Sequence, residues 1–350
     1  MAGNWERRWH PLLEQWVMVA AKSANRPWSG AMSIVQSQIS PSHDPDCYLC
    51  PRVTRANGIQ NPDYQGAHSF DNDYPSLSFD APGHASDAQA SPLERTAPAH
   101  GSCRVLCWSE RHDATLASLC DEEMQQVAFL WKREYEMLSQ HKGIANVLIF
   151  ENKGTEIGVS NLHPHGQIYA SSFVTDTATR MRRAQANHAT QNNGQSLLQD
   201  LKNQAHAQAH LIVETGQHFT VMVPFAARFS YETWIIPNRH VSSLIHMNDA
   251  EIIELSQLYQ RQARRYDILF QRSAPNITLI HNAPCDTDTV VAADNTHWCF
   301  HLAFQPPLRD PEKLKFLAGW ESGANNIVNP IQPEMAAHQL RQIDLHRWPA

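Results

Sequence analysis

An internal repeat is the feature of this sequence that most constrains its fold. In each copy a short apolar run ends in an Arg-His pair and is followed by a helical pattern, which begins near Asp121 in the first copy. A β-branched run comes next, 34 residues on in the first copy (His112 to Asn146) and 36 in the second (His240 to Asn276). A strand–helix–strand–strand unit used twice predicts an α+β fold with a mostly antiparallel sheet.

The helix of each repeat has both a start signal and an apolar stripe. We expect Asp121 and Asn248 to cap the two helices, and Glu251, three residues after Asn248, completes a capping-box pattern. Apolar residues then recur at helical spacing, which predicts one buried face on each helix: Met124, Val127 and Trp131 in the first, and Ile252, Leu255 and Leu258 in the second.

The connection between the repeats has a different composition. The segment 180–209 is rich in Gln, Asn, Ala and His and predicts one or two polar helices. We therefore expect an N-terminal half over residues 1–180, a connecting segment over 181–209 and a C-terminal half over 210–350.

Charge and cysteine content exclude several classes of protein. Lys and Arg total 28 and Asp and Glu total 35, so the net charge is −7 and tight binding to nucleic acid is not expected. The sequence has neither a run of about 18 apolar residues nor the layout of a signal peptide, which argues against a membrane protein. Seven cysteines are an odd number and suggest reduced thiols, so a cytoplasmic protein is expected.

A C-x-x-C pair and two histidine segments are candidates for a metal site. Cys47 and Cys50 suit either a redox pair or half of a zinc site. The other two zinc ligands would be His112 and one histidine of the segment 163–165. The redox interpretation is weaker, because no thioredoxin-like βαβ pattern surrounds the pair.

The segment His163-Pro-His-Gly-Gln167 has the strongest chemical pattern in the chain. In an extended strand its two histidines and Gln167 share a face. Pro164 predicts that the strand begins here or lies at an edge, and Gly166 would let a ligand approach the backbone. If His163 holds a metal, His165 remains free to act on a substrate; the alternative is that both histidines only bind zinc.

Several longer motifs carry a resemblance to a known family. They run in order through nearly the whole chain and resemble the galactose-1-phosphate uridylyltransferases of the histidine-triad superfamily. This resemblance implies a duplicated histidine-triad unit and so accounts for the internal repeat. The motifs are Arg26-Pro-Trp, His43-Asp-Pro-Asp-Cys-Tyr-Leu-Cys50, Asn61-Pro-Asp-Tyr, Phe70-Asp-Asn-Asp-Tyr, Phe150-Glu-Asn-Lys-Gly, Ser160-Asn-Leu-His-Pro-His-Gly-Gln, Tyr231-Glu-Thr and Lys315-Phe-Leu-Ala-Gly-Trp-Glu321.

The resemblance implies ping-pong nucleotidyl transfer in galactose metabolism. His165 is at the position of the nucleophile, which would take the uridylyl group of a UDP-sugar and pass it to a second sugar 1-phosphate. Gln167 stands where the hydrolases of the superfamily have a third histidine. A glutamine donates a hydrogen bond to phosphate but cannot supply a proton, which suits an intermediate that waits for a sugar phosphate.

The resemblance also implies four sets of binding residues and a homodimer. Residues that match Arg26 and Lys315 reach the site of the neighbouring subunit in the family. One structural zinc per chain is implied. The four sets are Cys47, Cys50, His112 and His163 for zinc; Asn152, Ser160 and Gln167 for the transferred phosphate; Phe70, Asn72 and Asp73 for the nucleoside; and Arg26, Lys315, Phe316, Trp320 and Glu321 for the sugar-phosphate end.

The acceptor end and a second metal site of the family look altered. Ser23 replaces an arginine of the family, and no glutamine follows Glu321 within residues 322–328. His281 and His301 match two ligands of the family's second metal site. We expect no second metal, because the other two ligands are replaced by Met181 and Ala303.

Three functions are compatible with this pattern. The first is the family's hexose-1-phosphate uridylyltransferase activity. The second is a related nucleotidyltransferase or phosphorylase with a different phosphorylated acceptor, which the two acceptor-end changes favour weakly. The third is a nucleotide-binding or zinc-stabilised interaction protein, which need not keep a nucleophile. A nucleotide hydrolase is disfavoured by Gln167.

Overall fold

Strands from both repeats form one sheet in the computed structural model, which describes residues 5–20, 40–81, 93–285 and 295–348. Ser23 and Arg26 lie outside these residues. In chain order the elements are β1 (Trp5–His10), β2 (Gln15–Ala20), β3 (His68–Asp71), β4 (Gly101–Cys107), α1 (Asp121–Ser139), β5 (Asn146–Lys153), β6 (His165–Ser171), α2 (Asp176–Gln191), α3 (Leu197–Gln208), β7 (Ile212–Thr215), β8 (Phe219–Met222), β9 (Thr233–Pro237), α4 (Asp249–Phe270), β10 (Asn276–His281), β11 (His301–Gln305), α5 (Trp320–Ala324), β12 (Val328–Asn329) and α6 (Pro333–Arg341).

The large sheet has nine antiparallel strands in the order β3-β4-β6-β5-β10-β11-β9-β8-β7. Its central pair joins the repeats, with Phe150 of β5 opposite Leu279 of β10. Gln167 is the next neighbour of Phe150, and Ala303 is the next neighbour of Leu279. An approximate two-fold axis therefore passes between β5 and β10, and the predicted unit is present twice, as β4-α1-β5-β6 and β9-α4-β10-β11. The predicted α+β fold with a mostly antiparallel sheet is confirmed.

One face of the sheet is covered by α1 and α4. The predicted helix stripes are buried, and they pack on strand residues such as Ile149 and Ile280. Asn248 caps α4, since its side chain accepts from the Glu251 N–H at 3.0 Å. The cap of α1 is one residue earlier than expected, because Glu123 accepts from the backbone N–H of Cys120 and so fixes the turn there. No helix in the described ranges is long and apolar enough to cross a bilayer.

The opposite face is covered differently in the two halves. In the C-terminal half, α2, α3 and the turn after β1 bury a second apolar cluster, with Leu198, Met222 and Trp234 in its interior. Helices α2 and α3 occupy the predicted polar connection, while the boundaries at 180 and 210 remain predictions. In the N-terminal half, the loop that contains Cys47 and Cys50 packs on Val105 and Cys107 of β4. A small sheet of β1, β2 and β12 lies beside the main one.

His10 and His281 are among the histidines that are buried without a charge partner to hold them protonated. Burial, with a smaller contribution from the charge of Arg228, lowers the pKa of His10 to about 3. Burial lowers the pKa of His281 to about 4. Both imidazoles are therefore neutral at pH 7, and folding excludes protons that the unfolded chain would bind below its pKa of about 6.5.

This burial predicts acid sensitivity. Because the folded pKa of His10 lies below the unfolded value, its effect is absent above about pH 6.5 and the free energy of unfolding falls as the pH drops toward the folded pKa. We expect His10→Gln to reduce the pH dependence of that free energy by about 1 kcal/mol per pH unit between roughly pH 6 and 4.5. Urea unfolding at several pH values measures it. His338→Gln, at an exposed position of α6, is the control, and an equal slope in both variants would contradict the prediction.

Candidate active site

Four buried side chains converge beside the first strand of the N-terminal repeat. The ligand atoms of Cys47, Cys50, His112 and His163 all lie within 4.8 Å of one another. The Sγ atom of Cys50 is 3.6 Å from Nδ1 of His112 and 3.5 Å from Nδ1 of His163. A tetrahedral zinc ion with ordinary Zn–S and Zn–N bonds separates such atoms by about 3.6 Å. The cluster therefore has the composition and dimensions of a structural metal site.

The surroundings of His163 fix which ring nitrogen faces the thiols. Its Nε2–H donates to the carbonyl oxygen of Ser109 at 2.9 Å, which leaves the Nδ1 lone pair toward Cys50. Asn161 lies 3.3 Å from Sγ of Cys47 and accepts from the backbone N–H of His163 at 2.9 Å. Such outer partners orient metal ligands. Burial, with smaller contributions from the neighbouring Cys47 thiol, raises the pKa of the Cys50 thiol to about 12, so a thiolate persists there only beside a cation.

His165 is held by the same short segment. Its Nδ1 lies 2.8 Å from the carbonyl oxygen of His163, so Nδ1 carries the hydrogen and donates it. The Nε2 lone pair is then the nucleophilic one, a choice that the sequence left open. Burial lowers the pKa of His165, and the imidazole is neutral near pH 7. Strand β6 begins at His165, directly after Pro164, as predicted.

His165 lines a cavity of about 660 Å³. Asn152 and His163 are also in its wall, whereas the lining includes neither the predicted nucleoside residues nor the sugar-phosphate residues 315–321. The Lys and Arg side chains among its described lining residues have acidic partners: Lys153 lies 3.4 Å from Asp267, and Arg272 pairs with Glu156. Among the described residues, the cavity therefore brings a neutral imidazole together with the Asn152 amide and with cations that are already paired.

The predicted phosphate and nucleoside residues follow one face of the sheet. Gln167 of β6 lies opposite Val105 of β4, which lies opposite Phe70 of β3, and side chains paired across strands share a face. Asn152 is on this face too, two residues after Phe150. Ser160 is exposed in the loop before β6.

Arg55 is a residue that sequence analysis missed. It donates to Asp73 at 3.0 Å and to the carbonyl of Asp71 at 3.1 Å, and its guanidinium lies 4.3 Å from the ring centroid of Phe70. It thereby holds two of the three predicted nucleoside residues. The third, Asn72, accepts from the backbone N–H of Tyr74. An arginine in a loop gives no spacing signal, so only the fold reveals this role.

The predicted sugar-phosphate residues lie at the small sheet. The Nζ atom of Lys315 lies 2.5 Å from Oε1 of Glu321 and 2.7 Å from the carbonyl oxygen of Val328, and the Lys315 side chain is 5% exposed. Burial lowers the pKa of Lys315, and Glu321 opposes this effect. Phe316 and Trp320 are 55% and 59% exposed. Within the described residues, this segment does not reach the cavity of its own chain.

The reason for Gly166 differs from the one expected. A Cβ atom there would lie 2.2 Å from Trp108 and 2.8 Å from the carbonyl oxygen of Phe150, so the indole takes the space that was predicted for a ligand. Trp108 is fixed in turn by Glu151, which accepts from its Nε1–H at 3.0 Å and from the hydroxyl of Tyr259 at 2.5 Å. Glu151 was also missed, although it directly precedes Asn152.

The C-terminal repeat lacks the polar pattern of β6. With the two-fold axis placed at the Phe150–Leu279 pair, His301 is the counterpart of His165, and Cys299 is the counterpart of His163. The rings of His281 and His301 are stacked, with centroids 4.6 Å apart. Met181 and Ala303 belong to one apolar cluster. The absence of a second metal remains a prediction.

Comparison with known proteins covers nearly the whole chain. The model of the galactose-1-phosphate uridyl transferase N-terminal domain matches residues 2–175, and that of the C-terminal domain matches residues 181–348. The galactose-1-phosphate uridylyltransferase of Haemophilus influenzae is 36% identical over 338 residues, 96% of this chain and 94% of the relative. That of Rattus norvegicus is 37% identical over 335 residues, 95% of this chain and 86% of the relative.

Solved structures agree in fold. An ADP-glucose phosphorylase from Arabidopsis thaliana superposes with a TM-score of 0.77 at 23% identity, covering 98% of this chain and 99% of that one. A uridylyltransferase structure superposes with a TM-score of 0.75 at 24% identity, covering 90% and 96%. At these identities the likeness concerns the fold alone.

The packing of Trp108 on Gly166 predicts the effect of one methyl group. We expect Gly166→Ala to reduce the free energy of unfolding by about 1–3 kcal/mol, because the added Cβ overlaps a ring that Glu151 prevents from moving. It should also move His165 and slow turnover. Denaturant unfolding and initial rates measure both effects. The control is Gly323→Ala, where the added Cβ meets no atom within 4 Å beyond its chain neighbours and its own helix backbone, so this variant should be at least as stable as the parent; equal stability of Gly166→Ala and the parent would refute the prediction.

Proposed function

The chain belongs to the galactose-1-phosphate uridylyltransferase family and is a nucleotidyltransferase of that type, and we propose that His165 carries the nucleotidyl group between a UDP-sugar and a sugar 1-phosphate. One observation carries the proposal: Nδ1 of His165 is tied to the His163 carbonyl at 2.8 Å, so its Nε2 lone pair is free. The reaction serves galactose metabolism.

The first half-reaction follows from this geometry. Nε2 of His165 attacks the α-phosphorus of the UDP-sugar, and the bond from that phosphorus to the bridging oxygen breaks. Sugar 1-phosphate leaves with the bonding electrons and needs no proton, because phosphate is a weak base. The ring gains positive charge, which the His163 carbonyl stabilises through the Nδ1–H donor. A second sugar 1-phosphate reverses these steps and regenerates neutral His165.

The amide side chains have distinct roles in this proposal. Asn152 and Gln167, on the same sheet face as each other, would donate hydrogen bonds to the non-bridging phosphoryl oxygens. Ser160 would add a hydroxyl donor from the loop. Gln167 cannot protonate a leaving group or deprotonate water, so the intermediate favours sugar phosphate over hydrolysis. Phe70 and Asp73, held by Arg55, would bind the base and the ribose.

Labelling experiments test the nucleophile. His165→Gly should fold and keep its metal, yet fail to retain radioactivity from UDP-glucose labelled in the uridylyl group. Turnover should fall by a factor of roughly 10⁴ or more, because the covalent route is lost. Denaturation followed by filtration measures retention, and a panel of sugar 1-phosphates that discharges the parent enzyme identifies the acceptor. That panel also tests the proposal that Ser23, and the absence of a glutamine from residues 322–328, alter the choice of acceptor.

Two further variants separate the roles of the neighbours. Gln167→His should retain the label and lose it to water faster than the parent. His163→Asn removes a proposed zinc ligand, and its zinc content and labelling are measured together. The proposal fails if His165→Gly still traps the nucleotide, or if His163→Asn keeps full zinc and loses labelling while His165→Gly does not.

We assign one structural zinc to Cys47, Cys50, His112 and His163, a donor set that zinc prefers. Cys50→Ser should lower the thermal midpoint by roughly 10 °C and reduce the zinc content below one per chain, because binding energy at such a site is folding energy. Elemental analysis and thermal unfolding measure this. Cys120→Ser, at an exposed cysteine outside the cluster, should keep zinc and stability. Full zinc in Cys50→Ser, or none in the parent, contradicts the assignment.

A homodimer would complete the site. Lys315, Phe316, Trp320 and Glu321 do not line the cavity of their own chain among the described residues, which supports a role in the site of a partner. Co-expressed His165→Gly and Lys315→Ala chains should then recover about a quarter of parent activity, since half of the dimers are mixed and each has one complete site. Each variant alone should be nearly inactive. Activity of the mixture equal to the sum of the parts would place Lys315 in its own subunit's site.

A further inference from the structure

We propose that the cavity between β1, α3 and β8 is a second ligand site, which takes an uncharged aromatic ring. The cavity holds about 390 Å³ and shares no described lining residue with the cavity of His165. Its size is in the range of small-molecule pockets, which are mostly apolar with few polar groups. The proposal does not depend on the nucleotidyl-transfer chemistry.

The two-fold relation between the repeats identifies the position of this cavity. Across the sheet, Ala303 lies opposite Trp234, and Trp234 lies opposite Met222. With the two-fold axis at the Phe150–Leu279 pair, the corresponding row in the other repeat is Gln167, Val105 and Phe70. Trp234 and Met222 are in the wall of the 390 Å³ cavity. The cavity is therefore the counterpart, in the second repeat, of the predicted nucleoside pocket.

The polar groups of that pocket are replaced in the second repeat. Asn72 and Asp73 follow Phe70 by two and three residues, and the residues that follow Met222 at the same distances are Pro224 and Phe225. Both of these line the cavity. The amide and carboxylate that suit a ribose are thus absent at their counterparts, while the aromatic residues Trp234 and Phe225 line the cavity.

The walls favour a flat ligand without charge. Met222, Trp234 and Ala205 are buried at the back, whereas Trp9 and Phe225 are 42% and 48% exposed at the mouth. No charged side chain is among the described residues that line the cavity, so a phosphate or carboxylate would lack a partner there. The partly exposed rings of Trp9 and Phe225 in the wall favour stacking or edge contacts with another ring.

The probe for this site is 5-fluoroindole, an uncharged compound with two fused rings. Fluorine NMR of the full-length zinc-containing protein should show saturable binding that an excess of UDP-glucose does not displace. Ala205→Phe, which fills the cavity, should weaken binding at least about tenfold. Ala207→Phe adds the same ring to an exposed position of α3 outside the lining, and it should bind as the parent does.

A second variant keeps the test decisive if Ala205→Phe does not fold. Phe225→Ser removes a ring from the mouth, where exposure makes the change tolerable, and it should weaken binding about fivefold. The proposal is overturned if 5-fluoroindole shows no saturable binding, if UDP-glucose displaces it, or if Phe225→Ser binds it as tightly as the parent.

Discussion

The carbonyl group of His163 is the point on which the site depends. The residue's ring belongs to the Cys47–Cys50–His112 cluster, while its backbone oxygen accepts the Nδ1–H of His165. The four-residue cluster therefore fixes the peptide that selects the tautomer of His165, the nucleophile of our proposal. A histidine free to rotate would present either nitrogen and would lose the charge stabilisation that a fixed acceptor provides. The same segment enters β6, so the cluster also sets where the strand begins.

The central pairing of β5 with β10 makes one sheet from two repeats that have diverged in chemistry. Both copies bury the face under α1 and α4 in the same way. On the opposite face the first copy keeps the histidine, glutamine and asparagine, while the second replaces Gln167 by Ala303 and is covered by α2 and α3. In both halves the sheet packs against a helix on the face under α1 and α4. On the opposite face, only the N-terminal half has the polar residues of the proposed site. The duplication therefore preserved the scaffold and left the second pocket open to apolar residues.

Sequence patterns predicted what depends on local periodicity and on motifs. The repeated unit, the two helix stripes and the four-residue cluster are all present. Each of them can be predicted because short segments of sequence contain the periodicity of strands and helices and the residue types that bind metals. Long-range packing could not be predicted in this way. Trp108, rather than a ligand, requires Gly166, and Arg55 holds Asp73 from a loop. Both contacts join segments far apart in sequence, which no spacing rule encodes.

Charge balance explains how such a site can exchange two sugar phosphates. The imidazole of His165 is neutral, and the two cations in the wall of its cavity are paired, Lys153 with Asp267 and Arg272 with Glu156. The Lys315 ammonium donates hydrogen bonds to Glu321 and to the carbonyl oxygen of Val328, which leaves one of its three hydrogens for a phosphate. In our proposal, the amides of Asn152 and Gln167 and the hydroxyl of Ser160 bind the phosphoryl oxygens, while Arg26, which lies outside the described residues, serves the sugar-phosphate end. Neutral donors orient a phosphate without holding it as tightly as an unpaired cation, so the first sugar phosphate can leave and the second can enter.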